Sequence, residues 1–156
     1  MKELNGSASA LVAAPIEDCL ALCEAVDRYP VWCPEIVTAV EVLDRAPGGR
    51  PTRARTRLHV AHGALARDFD LTMGIVSEAG TVRLTKVSTG SQQRFDVVWR
   101  LSDGARTGIR LDLRASLDVP RFLPLGGVGD ALAARFVAAA GRALGSVTGG
   151  SGRARP

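Results

Sequence analysis

Apolar and polar positions along the chain change period twice. Ser7–Ala13 is short and half apolar, and reads as a strand that stops at Pro15. From Pro15 to Ala25 the spacing of Ile16, Leu20 and Cys23 is helical, with Glu17 and Asp18 in the first turn, where the helix dipole favours them. Asp27–Trp32 predicts a second short helical turn broken by Pro30, and Pro34 forces extended backbone before it. The period then falls to two. Strands are predicted over Glu35–Arg45, Thr52–Ala61, Leu65–Val76, Thr81–Ser88, Gln93–Leu101 and Thr107–Leu117. Turns are predicted at 46–51, His62-Gly63, Ser77–Gly80 and Thr89–Ser91, with a tight hairpin at Asp103-Gly104. After Pro120 the helical period returns: Leu125, Leu132, Phe136, Ala140 and Leu144 are separated by seven and then by fours. Gly126, Gly127 and Gly129 each cost about 1 kcal/mol in a helix interior, so this helix starts late or irregularly, and Gly145 is placed to cap it.

The resulting order is β–α–α–β–β–β–β–β–β–α. Strands joined by short turns pair as antiparallel neighbours. The fold class is therefore α+β: a curved seven-stranded antiparallel sheet around a long C-terminal helix, with two short helices after strand 1. Residues 1–145 are expected to form one domain, and the Gly- and Ser-rich 146–156 a disordered tail.

Composition narrows the function classes. The chain has 156 residues, 46% hydrophobic and 23% charged, ordinary for a globular domain. No apolar run approaches the roughly 18 residues a membrane helix needs, and the N-terminus lacks a signal-peptide core, so a cytoplasmic location is expected. The net charge of +4 lies at the C-terminal end, where residues 119–156 hold five Arg and one Asp. That end either meets an acidic partner or is a solvated helix and tail. No aromatic residues interleave with these Arg, which argues against nucleic-acid binding. Cys19, Cys23 and Cys33 lack the paired spacing of a zinc site and read as buried thiols, so no metal is expected.

The opening VAAPIEDCLALCEAVDRYPVWCPEI (12–36), the stretch TVRLTKVSTGSQQRFDVVWRL (81–101) and the PRFLP run into an Ala-rich helix together resemble the START-like (helix-grip) superfamily, and within it the polyketide cyclase/dehydrase group. The resemblance covers about residues 7–145. It implies a deep cavity between sheet and last helix, no cofactor, and a hydrophobic ligand: a polyketide, lipid, sterol, quinone or plant metabolite. Members of the superfamily close aromatic rings on carrier-bound polyketides, carry ligands or sequester antibiotics. In the aromatase/cyclases an Arg on the fourth strand and a Tyr after the short helices steer ring closure; the matching positions here fall near Gly74 and Ile36, so neither is present. Binding without turnover is therefore one reading and cyclisation of a polyketide on an acidic acyl carrier protein the other, by a monomer or a homodimer.

The candidate chemistry follows from strand parity. Asp68 and Asp70 share a strand face; they are a base and acid pair if that face lines the cavity, or solvent groups if Phe69, Leu71, Met73 and Ile75 take the interior. His59 and His62 flank a turn, and His59 is a candidate proton shuttle. Lys86 shares a face with Val82 and Leu84, so its amine either meets a ligand anion or snorkels outward. Trp32, Phe69, Met73, Phe95, Trp99, Leu111, Leu113, Leu132 and Phe136 are expected to converge as ligand wall or core. The entrance is expected beside Gly126–Gly129.

Overall fold

The computed structural model describes residues 2–63, 65–87, 93–120 and 122–154, with side chains through residue 145. The elements are β1 (Lys2–Val12), α1 (Ile16–Glu24), a 3-10 turn (Val26–Arg28), α2 (Tyr29–Trp32), β2 (Val37–Arg45), β3 (Pro51–His62), β4 (Leu65–Glu78), β5 (Thr81–Lys86), β6 (Arg94–Ser102), β7 (Thr107–Leu117) and α3 (Val128–Ala154). The strands form one antiparallel sheet in the order β1-β7-β6-β5-β4-β3-β2. Its two edges, β1 and β2, are consecutive in sequence. The link between them must therefore cross the whole sheet, and α1 and α2 fill that crossing. This is the helix-grip arrangement.

Alternation decides which face α3 covers. Along β7, Ile109, Leu111, Leu113, Ala115 and Leu117 are buried while Arg110 and Arg114 face solvent. On β4, Phe69, Leu71, Met73 and Ile75 point the same way, and on β6 Phe95, Val97 and Trp99 do. From the other side α3 presents Val128, Leu132, Phe136, Val137, Ala140 and Leu144, all buried. Burying one such side chain stabilises by about 1.5–3 kcal/mol, so this interface dominates the core.

At its N-terminal end α3 touches edge strand β1 directly. A Cβ on Gly6 would lie 2.0 Å from the carbonyl carbon of Gly129. Asp130 Oδ1 accepts the Ser7 backbone N–H at 3.0 Å, satisfying a group that an edge strand otherwise leaves open. Just past the C-terminal end of β1 the chain is tied to β7 by Thr107, whose hydroxyl donates to Ala14 O at 2.7 Å.

Four local expectations are revised. β1 begins at Lys2, because its pairing with β7 runs from Lys2↔Leu117 to Val12↔Thr107 and holds the polar start. Pro30 sits in the first turn of α2 rather than breaking it, where its missing N–H costs nothing. Asp103-Gly104 is not a two-residue hairpin: the loop spans 103–106, Gly104 has no positive φ, and Asp103 instead accepts the Gly104 N–H. Gly145 also lacks the left-handed conformation of a cap, and α3 continues through it to Ala154. The late start of α3 at Val128 is as expected, with Gly127 at φ +80° before it. The expected turn at Thr89–Ser91 lies outside the described residues.

Candidate functional site

The gap between sheet and α3 is nearly full. Its enclosed cavity measures about 30 Å³ and is lined by Val26, Tyr29, Val37, Val40, Thr56, Leu58, Met73, Leu84, Phe95, Val97 and Phe136. Small-molecule sites ordinarily run to roughly 300–1,000 Å³. The deep cavity that the resemblance implies is therefore not found between sheet and α3, where aromatic side chains fill the space. Tyr29, Trp32, Trp99 and Phe136 form one cluster: Trp99 meets Phe136 edge-on at 6.1 Å and 86°, Trp32 meets Phe136 at 6.2 Å and 67°, and Tyr29 meets Trp32 at 4.8 Å. Edge-to-face pairs of this kind contribute about 0.5–1.5 kcal/mol beyond their area.

The polar groups of the lining are committed to the protein. Tyr29 donates its hydroxyl to Cys23 O at 2.6 Å and accepts from Trp99 Nε1 at 3.1 Å. Burial raises its pKa well above the ordinary phenol value, so it stays a neutral donor. Thr56 Oγ1 donates to Leu71 O at 3.1 Å. Burial likewise pushes the Cys33 thiol up to about 11 and raises those of Cys19 and Cys23, which makes them small apolar fillers. Among the described residues no three His, Cys, Asp or Glu side chains group as metal ligands.

The three catalytic candidates fall elsewhere. Asp70 lies on the outer face of β4, 65% exposed, with Arg57 Nε at 3.1 Å. His59 lies on the same face of β3, its Nδ1 2.8 Å from Asp68 Oδ1. Parity explains both: Phe69 and Leu71 take the inner positions, so their neighbours face water. Lys86 does share the inner face with Val82 and Leu84, but at the strand end, where its amine donates to Val87 O at 3.5 Å and lies outside the lining.

The apolar candidates divide by depth. Phe95, Met73 and Phe136 line the cavity. Trp99, Leu111 and Leu132 are fully buried core, and Phe69 and Leu113 are nearly so. Trp32 bridges inside and outside: its ring belongs to the aromatic cluster, and it also lines two surface grooves against α3, one of about 780 Å³ beside α1–α2 and one of about 460 Å³ beside residues 32–36. Sequence reasoning missed Tyr29, Val26, Val37, Val40, Thr56, Leu58, Leu84 and Val97 as lining. The visible signal was Tyr29 three residues before Trp32 on one short helix; the rest is tertiary.

A curved sheet gripping an apolar helix over an enclosed, uncharged interior defines a START-like protein. The chain belongs to the family described as "Polyketide cyclase / dehydrase and lipid transport", which it matches over residues 12–144. No curated protein matches it. Solved structures with the same fold include a START superfamily protein from Mycobacterium smegmatis (15% identity, TM-score 0.74, 92% of this chain and 98% of that one). The Zhui aromatase/cyclase from Streptomyces sp. R1128 is similar at 16% identity and TM-score 0.63 (92% and 94%). Ginseng major latex-like protein 151 from Panax ginseng is similar at 7% identity and TM-score 0.60 (90% and 93%).

Proposed function

We propose that this protein binds an apolar small molecule, polyketide-like or lipid-like, between the sheet and α3, and does not turn it over. One observation carries the reading: the interior lining is apolar except for two hydroxyls, both already hydrogen-bonded within the protein. Ring closure on a polyketide needs a positioned acid or base, and the acidic and imidazole candidates stand on the outer face. Binding requires the aromatic cluster to part, since the cavity must grow about tenfold to hold a drug-sized ligand. Phe136 is the ring that α3 inserts into the gap, so displacing it opens the space.

The alternative, turnover of a carrier-bound polyketide, draws on the likeness to aromatase/cyclases. A single preparation separates the two. The chain has two Trp, and both sit in the cluster, so intrinsic fluorescence reports directly on occupancy. Titration with aromatic polyketides, quinones and fatty acids is expected to give saturable quenching at micromolar concentration or below for at least one class. No saturable change across the panel would overturn binding. A cyclised product released from a carrier-bound polyketone would overturn the absence of turnover.

A further inference from the structure

The two indoles of the aromatic cluster are treated differently. Trp99 Nε1 donates to Tyr29 Oη at 3.1 Å, and the Tyr29 hydroxyl in turn donates to Cys23 O at 2.6 Å. That chain is complete. Trp32 Nε1 is equally shut off from solvent, yet it has no hydrogen-bond partner among the described residues. A buried donor left unpaired costs about 1–3 kcal/mol, and Trp32 is the one side chain among the described residues in this state. Its ring lies 4.8 Å from that of Tyr29 and 6.2 Å from that of Phe136, and both of those line the cavity.

We propose that Trp32 Nε1 is the specificity-determining donor of the ligand site, and that the ligand brings it an uncharged acceptor oxygen, a ketone, quinone or ester carbonyl. This inference rests on the binding function proposed above and adds the ligand's polar chemistry to it. The neutrality follows from the lining. No Lys, Arg or His contributes to it, so a carboxylate held within the lining would be buried without a counter-charge, at a cost far above one hydrogen bond. A carbonyl costs much less to desolvate and recovers that cost on one good donor. Tyr29 and Thr56, the polar side chains of the lining, already donate to Cys23 O and Leu71 O, and Trp32 packs its ring against those of Tyr29 and Phe136 without itself lining the cavity. The Trp32 N–H is therefore the donor left for the ligand. The remaining contacts are ring faces and edges, which suit a planar or unsaturated body.

Three matched probes test this by isothermal titration calorimetry: 2-acetylnaphthalene, 2-isopropylnaphthalene and 2-naphthoate, each with the wild type and with Trp32→Phe. Phe keeps an aromatic ring in the cluster but removes the N–H together with part of the indole's volume, and the hydrocarbon probe accounts for the lost volume. The wild type is expected to bind both neutral probes and to discriminate against naphthoate. In Trp32→Phe the ratio of ketone to hydrocarbon affinity is expected to fall about three- to tenfold, the range of one neutral hydrogen bond. An unchanged ratio would overturn the role of Trp32 while leaving the binding function intact. Naphthoate binding as tightly as the ketone would overturn the neutral-ligand assignment. Failure of both neutral probes to bind the wild type would instead strike at the binding function itself. A second readout needs no variant: in the ¹⁵N–¹H spectrum of the wild type, the Trp32 indole proton is expected to move downfield with the ketone and not with the hydrocarbon. Equal shifts with both would overturn the hydrogen bond.

Discussion

Asp112 sits on the outer face of β7 between two guanidiniums. Arg110 Nε and Arg100 Nε each donate to it at 3.2 Å. These hydrogen bonds, that from Arg110 foremost, hold its carboxyl below the ordinary value of 3.8 despite slight desolvation. A carboxylate with a lowered folded pKa adds stability that is fully present above the unfolded pKa, and that is lost as pH falls through the folded one. Asp112→Asn is therefore expected to lower stability at pH 7, by less than about 1 kcal/mol because the pair is solvated. Urea unfolding at pH 7, 5 and 3 should show a constant difference between the first two and a smaller one at pH 3. A difference that stays open at pH 3 would refute this account. Strand parity made such residues legible in advance. The inward run of Phe69, Leu71, Met73 and Ile75 was readable from sequence, and it is what sends Asp70 to the outside. The partners of Trp32 were not readable. They come from α2, β6 and α3, and only the fold brings those together.

At the scale of elements, the six strands after α2 and the late start of α3 follow from period and from turn residues. The glycines around the start of α3 carry a helix penalty in sequence terms, and the structure gives Gly129, in its first turn, a packing role besides. Gly6→Ala would place a Cβ 2.0 Å from the Gly129 carbonyl carbon, and backbone cannot swing aside as a side chain does. The expected loss is about 1–3 kcal/mol or more. Gly141→Ala is the control. Its Cβ meets nothing within 4 Å, and it lies inside α3, so it should gain up to about 1 kcal/mol. Guanidinium melts of the two variants are expected to shift in opposite directions. If Gly6→Ala melts with the wild type, the close approach of β1 and α3 does not hold. No hydropathy pattern encodes this contact, because neither glycine carries an apolar side chain. The continuation of α3 past Gly145 was hidden for a related reason: glycine marks a cap only where the backbone turns left-handed.

The whole molecule faces a conflict between packing and volume. A closed aromatic cluster stabilises the fold, and under the proposed binding function a ligand must take its place. Phe136 sits at the centre of that exchange, because it contacts Tyr29, Trp32 and Trp99 and also lines the cavity. Truncating it separates the two demands. Phe136→Ala should cost about 3–5 kcal/mol of stability, a large share of the 5–15 kcal/mol typical of a domain. The milder Phe136→Leu keeps a branched apolar side chain and should cost less. If the cluster occupies the ligand's space, both variants should bind the neutral probes more tightly than the wild type does, since less must be displaced. Bound ligand should then restore part of the lost stability, by about 2.7 kcal/mol at a hundredfold excess over Kd. Thermal melts of each variant with and without 2-acetylnaphthalene measure both effects at once. Variants that are less stable yet bind no better would mean that the interior is a structural core and not a closed ligand site. A ligand would then have to be sought in the grooves beside Trp32, against α3.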